Sequence, residues 1–175
     1  MKHEDLDKWA VPHDQLPRRL FFVRHEYSQC GSEDEWNSDM EGDGPASELG
    51  MMGGLTAACP KAIICCLHEI TNIVDLYRKM KRHLKWTSSR PSCFVSTFGN
   101  FHDAVLWGGQ LPGIVRIYSI DTTKLPPIAF VHVFRPSDFN MFWRKDEYLF
   151  LHQIPERGIE CFVVLPDYLK TTREY

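Results

Sequence analysis

Six short apolar runs set the limits on how this chain can fold. They are RLFFVRHE at 19–26, SCFVST at 92–97, GIVRIYSID at 113–121, PIAFVHV at 127–133, EYLFLHQI at 147–154 and IECFVVL at 159–165. Each is rich in β-branched and aromatic residues and is bounded by Gly, Pro or polar clusters, the signature of a strand. PERG between the last two is a turn signal with both proline and glycine. Only one long helical period competes with them. Leu67, Ile70, Val74, Tyr77, Met80 and Leu84 recur every three or four residues and predict an amphipathic helix from about 62 to 86. Pro60 fits its first turn, and Lys79, Lys81, Arg82 and Lys85 complement the dipole at its C-terminal end. NFHDAVLWG predicts a shorter helix ended by Gly108 and Gly109, and RPSDFNMFW a helical turn capped by Ser137. Strands of this length, mixed with two helices, predict an α+β domain with mostly antiparallel strands.

With 175 residues, 43% of them hydrophobic, the chain can bury one ordinary core. The expected plan is an N-terminal arm at 1–19 and a single domain over 20–170. Residues 27–54 are rich in Gly, Ser and acids and lack periodicity, which predicts a flexible acidic insertion. A net charge of −3 disfavours extended contact with nucleic acid. No apolar run is long enough to span a bilayer, so no membrane partner is expected. The polar N-terminus lacks the apolar core of a secretory leader and predicts an intracellular chain, cytoplasmic or nuclear, unless a leader has been removed. The six cysteines form no CxxC and read as reduced, structural thiols. Cys59, Cys65, Cys66 and His68 cluster, but at no familiar zinc spacing, and no metal is expected.

Against this apolar background a few polar strand residues need partners. Arg24 sits near the end of the first strand, Ser96 and Thr97 close the second, and Glu147 opens EYLFLHQI. Buried hydroxyls and charges are costly unless bonded or paired. Two explanations stand. The residues converge on a ligand cleft, or they form an internal network in which Arg24 pairs with Glu26, Asp146 or Glu147 and Ser96 bonds only backbone.

Taken in order, Arg24 in FFVRHE, Ser96 and Thr97 in FVSTF, and Glu147 in DEYLFL resemble the arginine–serine–glutamate class of the ADP-ribosyltransferase fold. More closely, RHLKWTSSRPSCFVSTFGNFHDA with EYLFLHQIPERGIE downstream is similar to an uncharacterised group of fungal proteins with an ADP-ribosyltransferase-like domain. The resemblance covers roughly residues 20 to 165. It implies a split β-sandwich of two small, mostly antiparallel sheets with flanking helices, and NAD⁺ as the substrate in the cleft between them. Arg24 would hold the diphosphate or the adjacent ribose by bidentate, always-charged recognition. Ser96 would bond Arg24, Glu147 or the nicotinamide-side ribose, while Thr97 points to the other side of its strand. Glu147 would stabilise the oxocarbenium-like cation as nicotinamide departs. Phe98, Phe101 and Trp107 are aromatic faces near the motifs, Phe101 being the expected stacking residue.

Two departures bear on activity. Lys145 stands where arginine-directed transferases typically carry Glu or Gln, and Phe98 occupies the third place of the hydroxyl motif. These leave NAD⁺ hydrolysis, transfer to another acceptor such as a protein, or a site without turnover. Glu156 and Glu160 are rival acids. The leading expectation is an NAD⁺-dependent ADP-ribosyltransferase or NAD⁺ glycohydrolase, toxin-like in its chemistry. The alternatives are a catalytically inactive module of the same fold that binds a protein, and a transferase acting on a phosphorylated RNA end.

Overall fold

The structure, a computed structural model, describes residues 6–25, 55–56, 70, 72–85, 92–127, 131–141 and 146–169. The expected insertion at 27–54, Glu26, Pro60, Lys145 and the cluster of Cys59, Cys65, Cys66 and His68 lie outside the described residues. The strands are β1 (Arg19–His25), β2 (Leu55–Thr56), β3 (Phe94–Phe98), β4 (Val115–Asp121), β5 (Val133–Phe134), β6 (Glu147–Leu151), β7 (Gln153–Ile154) and β8 (Ile159–Val164). Helix α1 is Ile73–Leu84 and helix α2 is Phe101–Gly108. Six strands form one open sheet in the order β5-β6-β3-β1-β4-β8, and β2 pairs with β7 in a separate ribbon. Every pairing among the described residues is antiparallel, and the fold is α+β.

The large sheet is nearly two sheets. The β1–β4 ladder runs through all of β1, from Arg19–Asp121 to His25–Val115. The β3–β6 ladder runs through all of β3, from Phe94–Leu151 to Phe98–Glu147. Between β1 and β3, however, only Phe21–Phe98 and Phe22–Thr97 pair. Two three-stranded halves, β5-β6-β3 and β1-β4-β8, therefore meet at a seam two residues long. In place of two small sheets, one sheet is divided by a narrow join.

Alternation along the strands assigns the two faces. On one face Leu20, Phe22 and Tyr118 from one half pack with Val95, Tyr148 and Phe150 from the other, so side chains join what the ladder hardly does. On the opposite face α1 brings Leu76, Met80 and Leu84 onto Phe94, Leu149 and Leu151. There α2 covers Val23, Phe98, Val115 and Ile117 through Ala104.

Several expected boundaries move for identifiable reasons. Helix α1 starts at Ile73 because Asn72 caps it, its Oδ1 accepting from the Val74 and Asp75 amides at 2.9 and 3.1 Å. Ile70 is buried but precedes the helix. EYLFLHQI is broken at His152, whose φ of 70° is left-handed, so that its two parts join different sheets. PIAFVHV yields strand only at Val133–Phe134 among its described residues and their neighbour. Ser137 lies inside the short 3₁₀ turn Pro136–Phe139 rather than capping it; Arg135 Nε instead closes the turn by donating to Asp138 Oδ1 at 2.9 Å. The N-terminal arm is also part of the domain. Leu6, Ala10, Val11 and Leu16 are buried, the Val11 amide donates to the Val133 carbonyl at 2.7 Å, and Trp9 stays 45% exposed.

Leu76 of α1 is fully buried in the cluster that joins the helix to the sheet. Leu76→Ala is expected to lower unfolding free energy by about 2–5 kcal/mol in urea titration. Asn72→Ala, which removes only the cap, is expected to cost about 1 kcal/mol.

Candidate functional site at the seam

Strands β6, β3 and β1, which carry Glu147, Ser96–Thr97 and Arg24, are immediate neighbours in the sheet. The motif residues thus lie on contiguous strands, although 123 positions of sequence separate Arg24 from Glu147. Ser96 is the first residue of β3 beyond the seam, and Arg24 the second residue of β1 beyond it. Both stand where the two halves part.

Register and alternation then separate the set. Arg24 shares a face with Phe22, Thr97 and Arg116; Ser96 and Glu147 share the opposite, helix-covered face. Ser96 is opposite Leu149, so Glu147 is its diagonal neighbour, with Cβ atoms about 7–8 Å apart by ordinary sheet geometry. Glu147 is level with Phe21, three residues along β1 from Arg24 and two strands away. At about 3.3 Å per residue and 4.8 Å per strand, the Arg24 and Glu147 Cα atoms are roughly 14 Å apart. The arrangement brings Ser96 and Glu147 together and sets Arg24 apart from them.

The partner of Ser96 is a residue that the sequence reading missed. Ser96 Oγ and His83 Nε2 are hydrogen-bonded at 2.7 Å, tying the last turn of α1 to the sheet. The signal for His83 was its place on the apolar stripe, three residues after Met80 and seven after Leu76. Its ring stands edge-on to Phe94, with centroids 5.8 Å apart. Burial pushes the imidazole pKa down from 6.5 to about 4, so the ring is neutral at pH 7. Thr97, as expected, points the other way: it is fully buried and donates from Oγ1 to the Tyr148 carbonyl at 3.0 Å.

Arg24 has an unforeseen companion. It pairs directly with Arg116 on β4, and the side chains are 7% and 6% exposed. If the two charges were as close as directly opposed Cα atoms, about 5 Å, they would repel by about 3 kcal/mol at an effective dielectric of 20. Arg116 also lies over the Phe162 ring, 5.6 Å from its centroid, and that ring packs on Tyr118. Both arginines have further contacts, while the buried Nε of Arg24 and the Nε and Nη1 of Arg116 make no hydrogen bond.

The remaining candidates have the following surroundings. Phe101 opens α2, is 45% exposed and stands edge-on to Phe21 at 5.4 Å. Phe98 is core, and Trp107 packs partly buried against the same cluster. Glu160 is held by Lys124 at 3.1 Å and Arg19 at 3.6 Å, and Glu156 is exposed in the 3₁₀ turn Glu156–Gly158. Buried His132 Nε2 lies 2.9 Å from Asp7 Oδ1 of the N-terminal arm. Cys93 is a buried free thiol, and Cys161, on the edge strand β8, is an exposed one. Among the described residues no group of His, Cys, Asp and Glu is placed to hold a metal, and no helix is long and apolar enough to cross a membrane.

The depressed pKa of His83 couples stability to pH. Between pH 6.5 and about 4 the unfolded chain binds a proton at this ring that the folded chain does not. Its contribution is therefore complete above pH 6.5 and is lost as pH falls toward 4, by up to about 3 kcal/mol in total at 1.4 kcal/mol per unit. Urea midpoints measured across this range should fall with pH, and His83→Gln should flatten that dependence.

Neither the curated proteins nor the solved structures contain a match to this chain. A family model does match, over residues 15–167, which takes in both halves of the sheet, both helices and every motif residue discussed above. The chain belongs to the family described as a domain of unknown function, DUF7587.

Proposed function

We propose that this chain is an NAD⁺-dependent ADP-ribosyltransferase or NAD⁺ glycohydrolase that cleaves the nicotinamide–ribose bond. The observation that carries this reading is the position of Arg24 and Ser96 on the two strands that part at the seam, beside the Glu147 strand. An arginine at the opening suits the diphosphate, which a guanidinium recognises with two parallel hydrogen bonds. An extended dinucleotide separates its diphosphate from its nicotinamide ribose, so the arginine and the carboxylate act at different ends of the ligand.

The chemistry would divide as follows. The bond between the ribose anomeric carbon and the nicotinamide nitrogen breaks, and its electron pair leaves with neutral nicotinamide. Positive charge grows on the ribose, and the Glu147 carboxylate opposes it, an interaction that strengthens toward the transition state. Water or an acceptor nucleophile then bonds to the anomeric carbon and gives up a proton. Ser96, held by His83, positions the ribose side of the site, and neutral His83 can accept a hydrogen bond from the serine hydroxyl.

A second reading, a non-catalytic module of the same fold that binds a protein partner, is favoured by one specific observation. Ser96 and Glu147 share the helix-covered face, Ser96 is already bonded to His83, and Arg24 lies on the other face. Nicotinamide release from NAD⁺ distinguishes the two. Wild type is expected to release nicotinamide, with Glu147→Ala slower by roughly 10²–10³-fold, the scale of losing one preorganised electrostatic contact. No release from folded wild type, with cell extract present to supply acceptors, would favour the binding module.

A further inference from the structure

We propose that two copies of this chain associate through their β8 strands, paired antiparallel about a two-fold axis at Val163, so that the sheet of one copy runs on into the other. The pairing goes beyond the NAD⁺ reading and stands whether or not nicotinamide is released.

The two edges of the large sheet are finished differently. At one, β5 is two residues long and the N-terminal arm lies against it, the Val11 amide donating to the Val133 carbonyl at 2.7 Å. At the other, β8 is six residues long, and no strand lies beyond it among the described residues. An open edge presents a row of backbone donors and acceptors, which proteins ordinarily blunt with charge, proline or a bulge. On β8 those devices stand at the ends. Cys161 pairs with Ser119 and Ile159 with Ile120, which leaves Glu160 as the extra residue of a bulge, and Pro166 follows Leu165 at the other end. The residues between them, Cys161 to Leu165, carry no charge. Cys161 is exposed, and Val163 and Val164, on opposite faces, are 45% and 53% exposed. Apolar side chains thus flank the open backbone on both sides.

Backbone direction decides how a second strand fits. The Leu165 amide donates to the Val115 carbonyl of β4 at 2.8 Å, so the alternate residues, Phe162 and Val164, turn their N–H and C=O groups outward. A second β8 turned about Val163 sets Phe162 of each copy opposite Val164 of the other, and each such pair exchanges both N–H···O bonds. Val163 meets its own counterpart in the close, non-hydrogen-bonded position between them, and Cys161 meets Leu165. Glu160 of each copy falls opposite Pro166 of the other, so no two charges are opposed. The bulge and the proline are equally distant from Val163, and the outward groups are symmetric about it. The segment is its own complement, as an isologous two-fold interface requires, and that symmetry favours a second copy over an unrelated strand.

Sedimentation equilibrium of the full 175-residue chain over a range of concentrations tests this, with circular dichroism to check the fold of each variant. Wild type is expected to be a concentration-dependent dimer. Val163→Lys or Val163→Glu alone opposes two like charges across the axis and is expected to raise the dimer dissociation constant about tenfold or more. An equal mixture of those two variants opposes unlike charges and is expected to form the dimer again. Val164→Pro removes an N–H turned away from β4, a place where an edge strand tolerates proline, and is expected to weaken the dimer without unfolding the monomer. Wild type that stays monomeric overturns the pairing, as does a dimer that the folded Val163 and Val164 variants leave unchanged. A mixture that stays as weak as its two components overturns the axis at Val163.

Discussion

Two residue pairs, Phe21–Phe98 and Phe22–Thr97, hold the two halves of the sheet in register, and the arrangement of the molecule follows from how short that contact is. A longer ladder would have carried Arg24 into pairing with β3 and closed the sheet. Because it stops, both strands run on separately, and the motif residues fall at the point of separation. Thr97 helps fix this point. Its hydroxyl donates to the Tyr148 carbonyl, so it satisfies itself within the half that contains β3 and β6. Beyond those two pairs the halves are joined through Phe22, Tyr118, Val95 and Phe150, by burial. Burial is non-directional, and it weakens on cooling.

Much of this was legible in the residues. The strand runs, the turn at PERG and the caps of α2 are set by local chemistry, and local chemistry is what a single sequence exposes. Asn100 accepts from the Asp103 amide at 2.8 Å at one end of α2, and Gly109 closes the other. Other features depend on tertiary neighbours. The break at His152 has no local proline or glycine to announce it; it follows from β6 and β7 belonging to different sheets. The burial of the N-terminal arm was hidden because its apolar residues, Leu6, Ala10, Val11 and Leu16, follow no single period.

The candidate site was legible in its residue types and less so in its directions. Sequence order placed Arg24, Ser96 and Glu147 on strands, and those strands are neighbours. Which face each side chain takes depends on register, and a shift of one residue exchanges the faces. That is why the partners proved to be His83 for Ser96 and Arg116 for Arg24. Arg116 sits in the middle of an apolar strand run, as Arg24 does. The two positions become a pair only through the β1–β4 register, which no local pattern encodes.

The packing of the N-terminal arm also has a consequence for how the chain is made. Thr122 Oγ1 donates to the Pro17 carbonyl across 105 positions of sequence, and the Val11 amide reaches a still later partner on β5. The arm is therefore made well before its partners, and it is among the last parts of the domain to find its place. At roughly 5–20 residues per second, synthesis leaves the arm waiting on the order of 5–20 seconds for the strand it docks on. Contacts so distant along the chain close late and fold slowly. For that interval the apolar side chains of the arm are exposed, which makes the nascent chain, more than the finished domain, the form that needs protection from aggregation.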